Sequence, residues 1–130
     1  CASISSHVAI DFTKITGKRA ICFNEANLIT CFANDYGYSN WVAKSLKFFA
    51  IPGDIIILIS SSGKSKNIIK ACQFAKKNKF FVATFTGFKK NNPVSKLGNT
   101  NFWVNSNKYN IVEMVHHIWL VSLVDSLAMK

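Results

Sequence analysis

The sequence predicts an α/β protein with an open parallel sheet covered by helices, and three observations predict it. Apolar runs of strand length alternate with stretches of helical spacing, as β-α-β units do. Asp54-Ile-Ile-Ile-Leu-Ile59 and Phe80-Phe-Val-Ala-Thr-Phe-Thr86 are apolar at nearly every position, the mark of strands buried on both faces. A polar loop follows the first of these runs and leads at once into a new helical period, and the carboxyl ends of parallel strands are where such sheets bind ligands.

Taken in order, Ser3 to about Ile15 is predicted as a helix, with Ile4, Val8 and Ile10 to Phe12 near helical spacing, Ser3 as its cap and Gly17 as its end. Arg19 to Phe23 is a short predicted strand and Glu25 to Ala33 a short helix. Asn34-Asp-Tyr-Gly-Tyr38 is a polar, aromatic loop, followed by an amphipathic helix from Asn40 to Phe49 that turns Trp41, Val42, Leu46 and Phe49 inward. After the Pro52-Gly53 turn and the first buried strand, Asn67 to Lys77 is a helix with Ile68, Ile69, Cys72 and Ala75 on its apolar face. The second buried strand leads to the loop Gly87 to Asn92, a short helix Val94 to Leu97, a short strand Asn101 to Val104 and a long helix from Asn110 to Ala128. That last helix is apolar on most sides. A membrane span needs about twenty such residues with few charges, and Glu113, His116, His117 and Asp125 interrupt it. It is therefore expected in the core and a subunit interface.

Composition narrows the function. The 130 residues make about one domain, and 49% of them are hydrophobic, enough for a core. The formal net charge is +10 with only six acidic residues. The lysines are spread along the chain with no aromatic-interleaved basic segment, so a solvated surface ranks above a nucleic-acid partner, which ranks last. The four cysteines, Cys1, Cys22, Cys31 and Cys72, form no C-x-x-C pair, which argues against a zinc ribbon. Their apolar neighbours suggest buried free thiols in a reducing cytoplasm. Cys-Ala-Ser-Ile-Ser-Ser-His7 lacks the basic and apolar regions of a secretory signal.

The loop Ser60-Ser-Ser-Gly-Lys-Ser65 carries the strongest chemical signal. It lies between a buried strand and a helix amino terminus, where free N–H groups and the dipole favour an anion. Serine hydroxyls add donors, and Gly63 is expected to let the backbone approach a phosphate monoester. An ordinary serine-capped turn fits the same residues equally well. Neither G-x-x-x-x-G-K-[ST] nor G-x-G-x-x-G is present, which disfavours nucleotides held in those two ways. Two further loops, one with Asn24 and Glu25 and one with Thr86-Gly-Phe-Lys89, are expected at the same sheet edge and would make the cleft polar and positive.

Gly53-Asp-Ile-Ile-Ile-Leu-Ile-Ser-Ser-Ser-Gly-Lys-Ser-Lys-Asn67 resembles the phosphosugar-binding segment of the SIS (sugar isomerase) domain family. Ala33-Asn-Asp-Tyr-Gly-Tyr38, Ser6-His-Val-Ala-Ile-Asp11 and Tyr109-Asn-Ile-Val-Glu-Met-Val-His116 resemble, in order, three further segments of its phosphoheptose isomerase branch. The resemblance spans residues 1–130 as a single, partial SIS domain. It implies a flavodoxin-like three-layer α/β/α fold with a parallel sheet, and a homo-oligomer, dimer or tetramer, with active sites at subunit interfaces. It also implies aldose–ketose isomerisation of a sugar phosphate such as sedoheptulose 7-phosphate. Family members carry a leading helical region and a strand ending in G-N-G-G-S before the first active-site helix. Cys1 stands where that serine would be, so an amino-terminally truncated chain is expected.

Isomerisation through an enediol needs a base to move a proton between adjacent carbons and an acid or metal to polarise the oxygens. The phosphate ligands by resemblance are Ser60, Ser61, Ser62 and Ser65, with Asp35 against the sugar. His7 and Asp11 are i and i+4 and share a helix face. They match a family His and Glu, although Asp11 is one methylene shorter, and helix-surface positions would explain both residues as well. Glu113 takes the position of a family Gln and is the only carboxylate between Ile111 and Leu123, a natural base. Val121 stands where the family has a further histidine, and His117, i+4 from Glu113, is the residue that would compensate. Asp11, Glu113, His117 and Asp35 are thus the catalytic candidates. His7, Asp11, Glu113 and His117 are the candidate metal ligands, with zinc the default from their types. A phosphosugar-binding module without catalysis is the competing reading.

Overall fold

A computed structural model describes residues 1–129. The elements are α1 (Ala2–Thr16), α2 (Ala26–Tyr36), α3 (Trp41–Phe49), β1 (Ile55–Ser60), α4 (Lys66–Lys77), β2 (Phe81–Thr86), a 3-10 turn (Val94–Lys96), β3 (Thr100–Trp103) and α5 (Tyr109–Ala128). The three strands form one parallel sheet in the order β1-β2-β3, with Ile55 opposite Phe81 and Ala83 opposite Thr100.

The two apolar runs are central because alternate side chains leave each strand on opposite faces. Ile56, Leu58 and Val82 pack with Val42 and Leu46 of α3 and Ala71, Cys72 and Ala75 of α4. Ala83 and Phe85, with Ile57 and Ile59 beside them, pack with Ile4 and Val8 of α1 and Leu120 and Val124 of α5. The result is the expected three-layer α/β/α arrangement.

Four local expectations are corrected. Ser3 lies inside α1, whose N-cap is Cys1; Gly17 does end it, in the left-handed region at φ 70. Arg19–Phe23 is not a strand, because among the described residues no strand pairs with it and β1 pairs with β2 alone. Side chains hold it instead: Arg19 donates to Asp54 Oδ1 at 2.8 Å, Ala20 N–H to Thr13 Oγ1 at 3.3 Å, and Phe23 packs on Phe49. Of the loop expected at Asn34–Tyr38, Asn34 to Tyr36 are the last turn of α2, which Gly37 ends. Of the four thiols only Cys72 is buried, and burial pushes it up to about 11; Cys31 is exposed.

Helix α5 meets the core half of its expectation. By length and composition it could cross a membrane, yet it places Val112, His116, Leu120 and Val124 in the protein interior. Its remaining faces are open in the single chain, with Ile111, Met114, Ile118 and Leu123 exposed, so the subunit core covers only one side.

Candidate active site

The serine loop is built from the end of β1. Ser60 and Ser61 are buried, and Ser61 extends the ladder by accepting Gly87 N–H at 2.8 Å. Ser60 Oγ donates to Ser65 Oγ at 3.1 Å, closing the loop across its neck. Gly63 turns it at φ 64. A Cβ there would overlap the buried Asn92 side chain, so packing also requires the glycine. No side chain caps α4, and its first turn holds no acid, which leaves its amino terminus suited to an anion.

Above the loop, α1 and α5 run side by side and carry the remaining candidates in two groups. In the first, Glu113 Oε1 accepts from Ser61 Oγ at 3.4 Å and from Cys1 Sγ at 3.4 Å, and lies 3.0 Å from the Cys1 nitrogen. Cys1 Sγ is 3.1 Å from Ser61 Oγ. Glu113 is thus placed at the head of the serine loop. Cys1 was not among the expected site residues; its only signal was its alignment with the family's terminal serine.

In the second group, Asp11 Oδ2 accepts from His7 Nε2 at 3.0 Å, and His7 Nδ1 is 2.7 Å from His117 Nε2. With Nε2 donating to the carboxylate, a neutral His7 accepts at Nδ1 from His117, which makes an unbroken proton line. Both His7 nitrogens are used within the line, and Glu113 sits with the other group. The expected four-ligand zinc site therefore does not assemble, and no group of three or more His, Cys, Asp and Glu is disposed to hold a metal among the described residues.

His116 positions α5. It is fully buried, and Nε2 donates to the Thr86 carbonyl at 3.0 Å, tying the helix to the end of β2 one turn from Glu113. Burial holds its pKa below the ordinary histidine range, opposed by the Thr86 bond. The unfolded chain takes up this proton at about pH 6.5 and the folded protein only at lower pH. His116 therefore contributes stability that is complete above that value and is lost as pH falls below it. The stability advantage of the protein over H116Q is expected to narrow from pH 7.5 to 5.5 in thermal melts; a constant gap would show that His116 does not titrate in this way.

Three expected residues lie elsewhere. Asp35, at the end of α2, bonds among the described residues to its neighbours Cys31 and Asn34 alone. Asn24 donates to Ser6 Oγ at 3.0 Å. Glu25 caps α2 through Leu28 N–H at 2.8 Å, and these backbone bonds lower its pKa. The third wall of the loop cluster is instead Asn105–Asn107, after β3. Val121 is half-buried against the α1–α5 core.

The SIS domain model matches residues 7–87. A phosphoheptose isomerase of Thermodesulfovibrio yellowstonii is 39% identical over 102 residues, covering 74% of this chain and 51% of that protein. One of Hamiltonella defensa is 38% identical over 71 residues, 55% of this chain and 34% of that protein. The chain thus spans about half or less of the length of these relatives. Among solved structures, phosphoheptose isomerase from Neisseria gonorrhoeae superposes with a TM-score of 0.89 at 21% identity, over 99% of this chain and 71% of that one. The enzyme from Francisella tularensis superposes with a TM-score of 0.84 at 24% identity, over 98% and 73%. With its parallel three-layer fold and a matching domain model over most of its length, this chain belongs to the SIS domain family.

Proposed function

We propose that this chain contributes the catalytic domain of a cytoplasmic phosphosugar isomerase that interconverts an aldose and a ketose phosphate, sedoheptulose 7-phosphate and a heptose 7-phosphate being the first pair to test. The observation that carries this reading is Glu113, a carboxylate 3.4 Å from the Ser61 hydroxyl of the loop that we read as the phosphate site. Ser60, Ser61, Ser62 and Ser65 would hold the phosphate. Glu113 would move the proton between the two carbons of the enediol, and Asp11, His7 and His117 would exchange protons with the sugar oxygens. The free cysteines fit a reducing compartment.

The second reading, a phosphosugar-binding module without turnover, is favoured by one observation: the apolar Val121 fills the position of the family's further histidine. Proton exchange separates the two. The protein is incubated with sedoheptulose 7-phosphate in heavy water and followed by NMR. Deuterium at carbon 1 or 2 with aldose formed supports the isomerase; binding without exchange supports the module. Absence of binding overturns both.

A homo-oligomer with its active sites at the subunit interfaces is part of the proposal, since Ile111, Met114 and Ile118 leave an apolar stripe exposed. Light scattering is expected to give a multimer that I118E disperses; a monomeric parent would remove this element.

A further inference from the structure

The serine loop opens on one side into a cleft of about 780 Å³, a volume that suits a small ligand. Ser62 and Lys64 belong to both, so loop and cleft are one site. The far wall is Phe88, Asn105 to Asn107 after β3, and Tyr109 in the first turn of α5. No acidic residue lines the cleft, so a phosphorylated ligand meets no like charge there. Tyr109 and Glu113 are i and i+4 on α5 and share a face one turn apart. A ligand with its phosphate in the serine loop and its reacting carbons at Glu113 therefore passes this wall.

The wall is fixed. Phe88 is held in the left-handed region at φ 56, a conformation that a bulky residue keeps only when its surroundings enforce it. Its N–H donates to the Ser106 carbonyl at 2.8 Å, its carbonyl accepts from Trp103 Nε1 at 3.3 Å, and its ring lies 4.7 Å from that of Tyr109. Ser106 N–H in turn donates to the Val104 carbonyl at 2.8 Å.

The polar groups on this wall are uncommitted, which sets them apart from their neighbours. The Asn92 amide is spent on the Lys89 carbonyl, Asn99 Oδ1 on Val82 N–H, and Asn101 Oδ1 on the hydroxyls of Thr84 and Thr86. The carboxamides of Asn105 and Asn107 are exposed and have no such partner among the described residues. Each offers two donors and an acceptor. Tyr109, also exposed, adds an apolar ring face with a hydroxyl at its tip. Carboxamides beside an aromatic ring complement the hydroxyls and C–H edges of a polyol chain.

We propose that Asn105, Asn107 and Tyr109 hold the hydroxylated carbon chain of the ligand whose phosphate the serine loop binds, and so decide which sugar phosphates the site accepts. The proposal rests on the phosphate reading of that loop.

Calorimetric titration compares sedoheptulose 7-phosphate with inorganic phosphate, which has the anion but no carbon chain. Asn105→Ala with Asn107→Ala, and separately Tyr109→Ala, should each weaken sugar-phosphate binding about tenfold and leave inorganic phosphate within about twofold. The three side chains are exposed, so both variants should keep the parent's melting midpoint. Ser60→Ala with Ser65→Ala should weaken both ligands. Unchanged sugar-phosphate affinity in either wall variant, or equal losses for the two ligands, overturns the proposal. Failure of the underlying reading is distinct: the serine variant would then leave inorganic phosphate binding unchanged.

Discussion

On the isomerase reading proposed above, replacing Glu113 by Gln is expected to lower turnover by about 10²- to 10⁴-fold, the usual contribution of a positioned general base, and to leave sugar-phosphate affinity within about threefold. Gln keeps the shape of the side chain and can still accept from Ser61 and Cys1 through its carbonyl, so the serine loop should be undisturbed. What is lost is a group able to take a proton from carbon and return it. His7→Asn serves as the comparison, because it breaks the line from Asp11 to His117 without touching the loop. Its expected loss is smaller and falls on turnover. If E113Q exchanged carbon-bound hydrogen with heavy water as fast as the parent, Glu113 would not be the base. A loss confined to KM would make it a binding residue.

Replacing Gly63 by Ala is expected to cost about 2–4 kcal/mol of stability and to lower the melting midpoint on the order of 10 °C. Two effects combine. The backbone is at φ 64, which an L side chain adopts at a cost of about 1–2 kcal/mol. The new methyl group would also overlap Asn92, whose Oδ1 accepts Ser95 N–H at 2.8 Å while its amide holds the Lys89 carbonyl. Asn92 cannot yield without breaking the turn that carries the loop after β2. Gly17→Ala separates the two effects, since Gly17 has φ 70 but open space where the methyl would go. Equal losses in thermal melts of the two variants would reduce the Gly63 effect to backbone strain alone. The larger expected loss for G63A, with weakened phosphate binding, would show that the serine loop is shaped by packing on Asn92.

The order of elements and the ligand edge of the sheet were legible because both come from local pattern. Ile55 to Ile59 and Phe81 to Phe85 are apolar on both faces, and that requires helices on both sides. The serine loop followed from its place between a buried strand and a helix. Arg19–Phe23 misled because propensity describes a segment that fits a sheet, whereas a strand exists only when a neighbour pairs with it, and none does here. Asn34 to Tyr36 misled in the opposite direction: polar residues that favour turns continue α2 until Gly37 stops it.

What the sequence determined by itself was the family, the parallel α/β class and the place of the serine loop, since each resides in contiguous residues with their own periodicity or motif. The division of the site was decided only by tertiary structure. His7, Asp11, Glu113 and His117 form one set by spacing along their two helices, but the packing of α1 on α5 sends His7 to His117 and leaves Glu113 to Cys1 and Ser61. Periodicity tells which face of a helix a residue occupies. The translation of one helix against another, fixed here by Ile4 and Val8 meeting Leu120 and Val124 and by the His116 bond to Thr86, decides which side chains come within a hydrogen bond of each other.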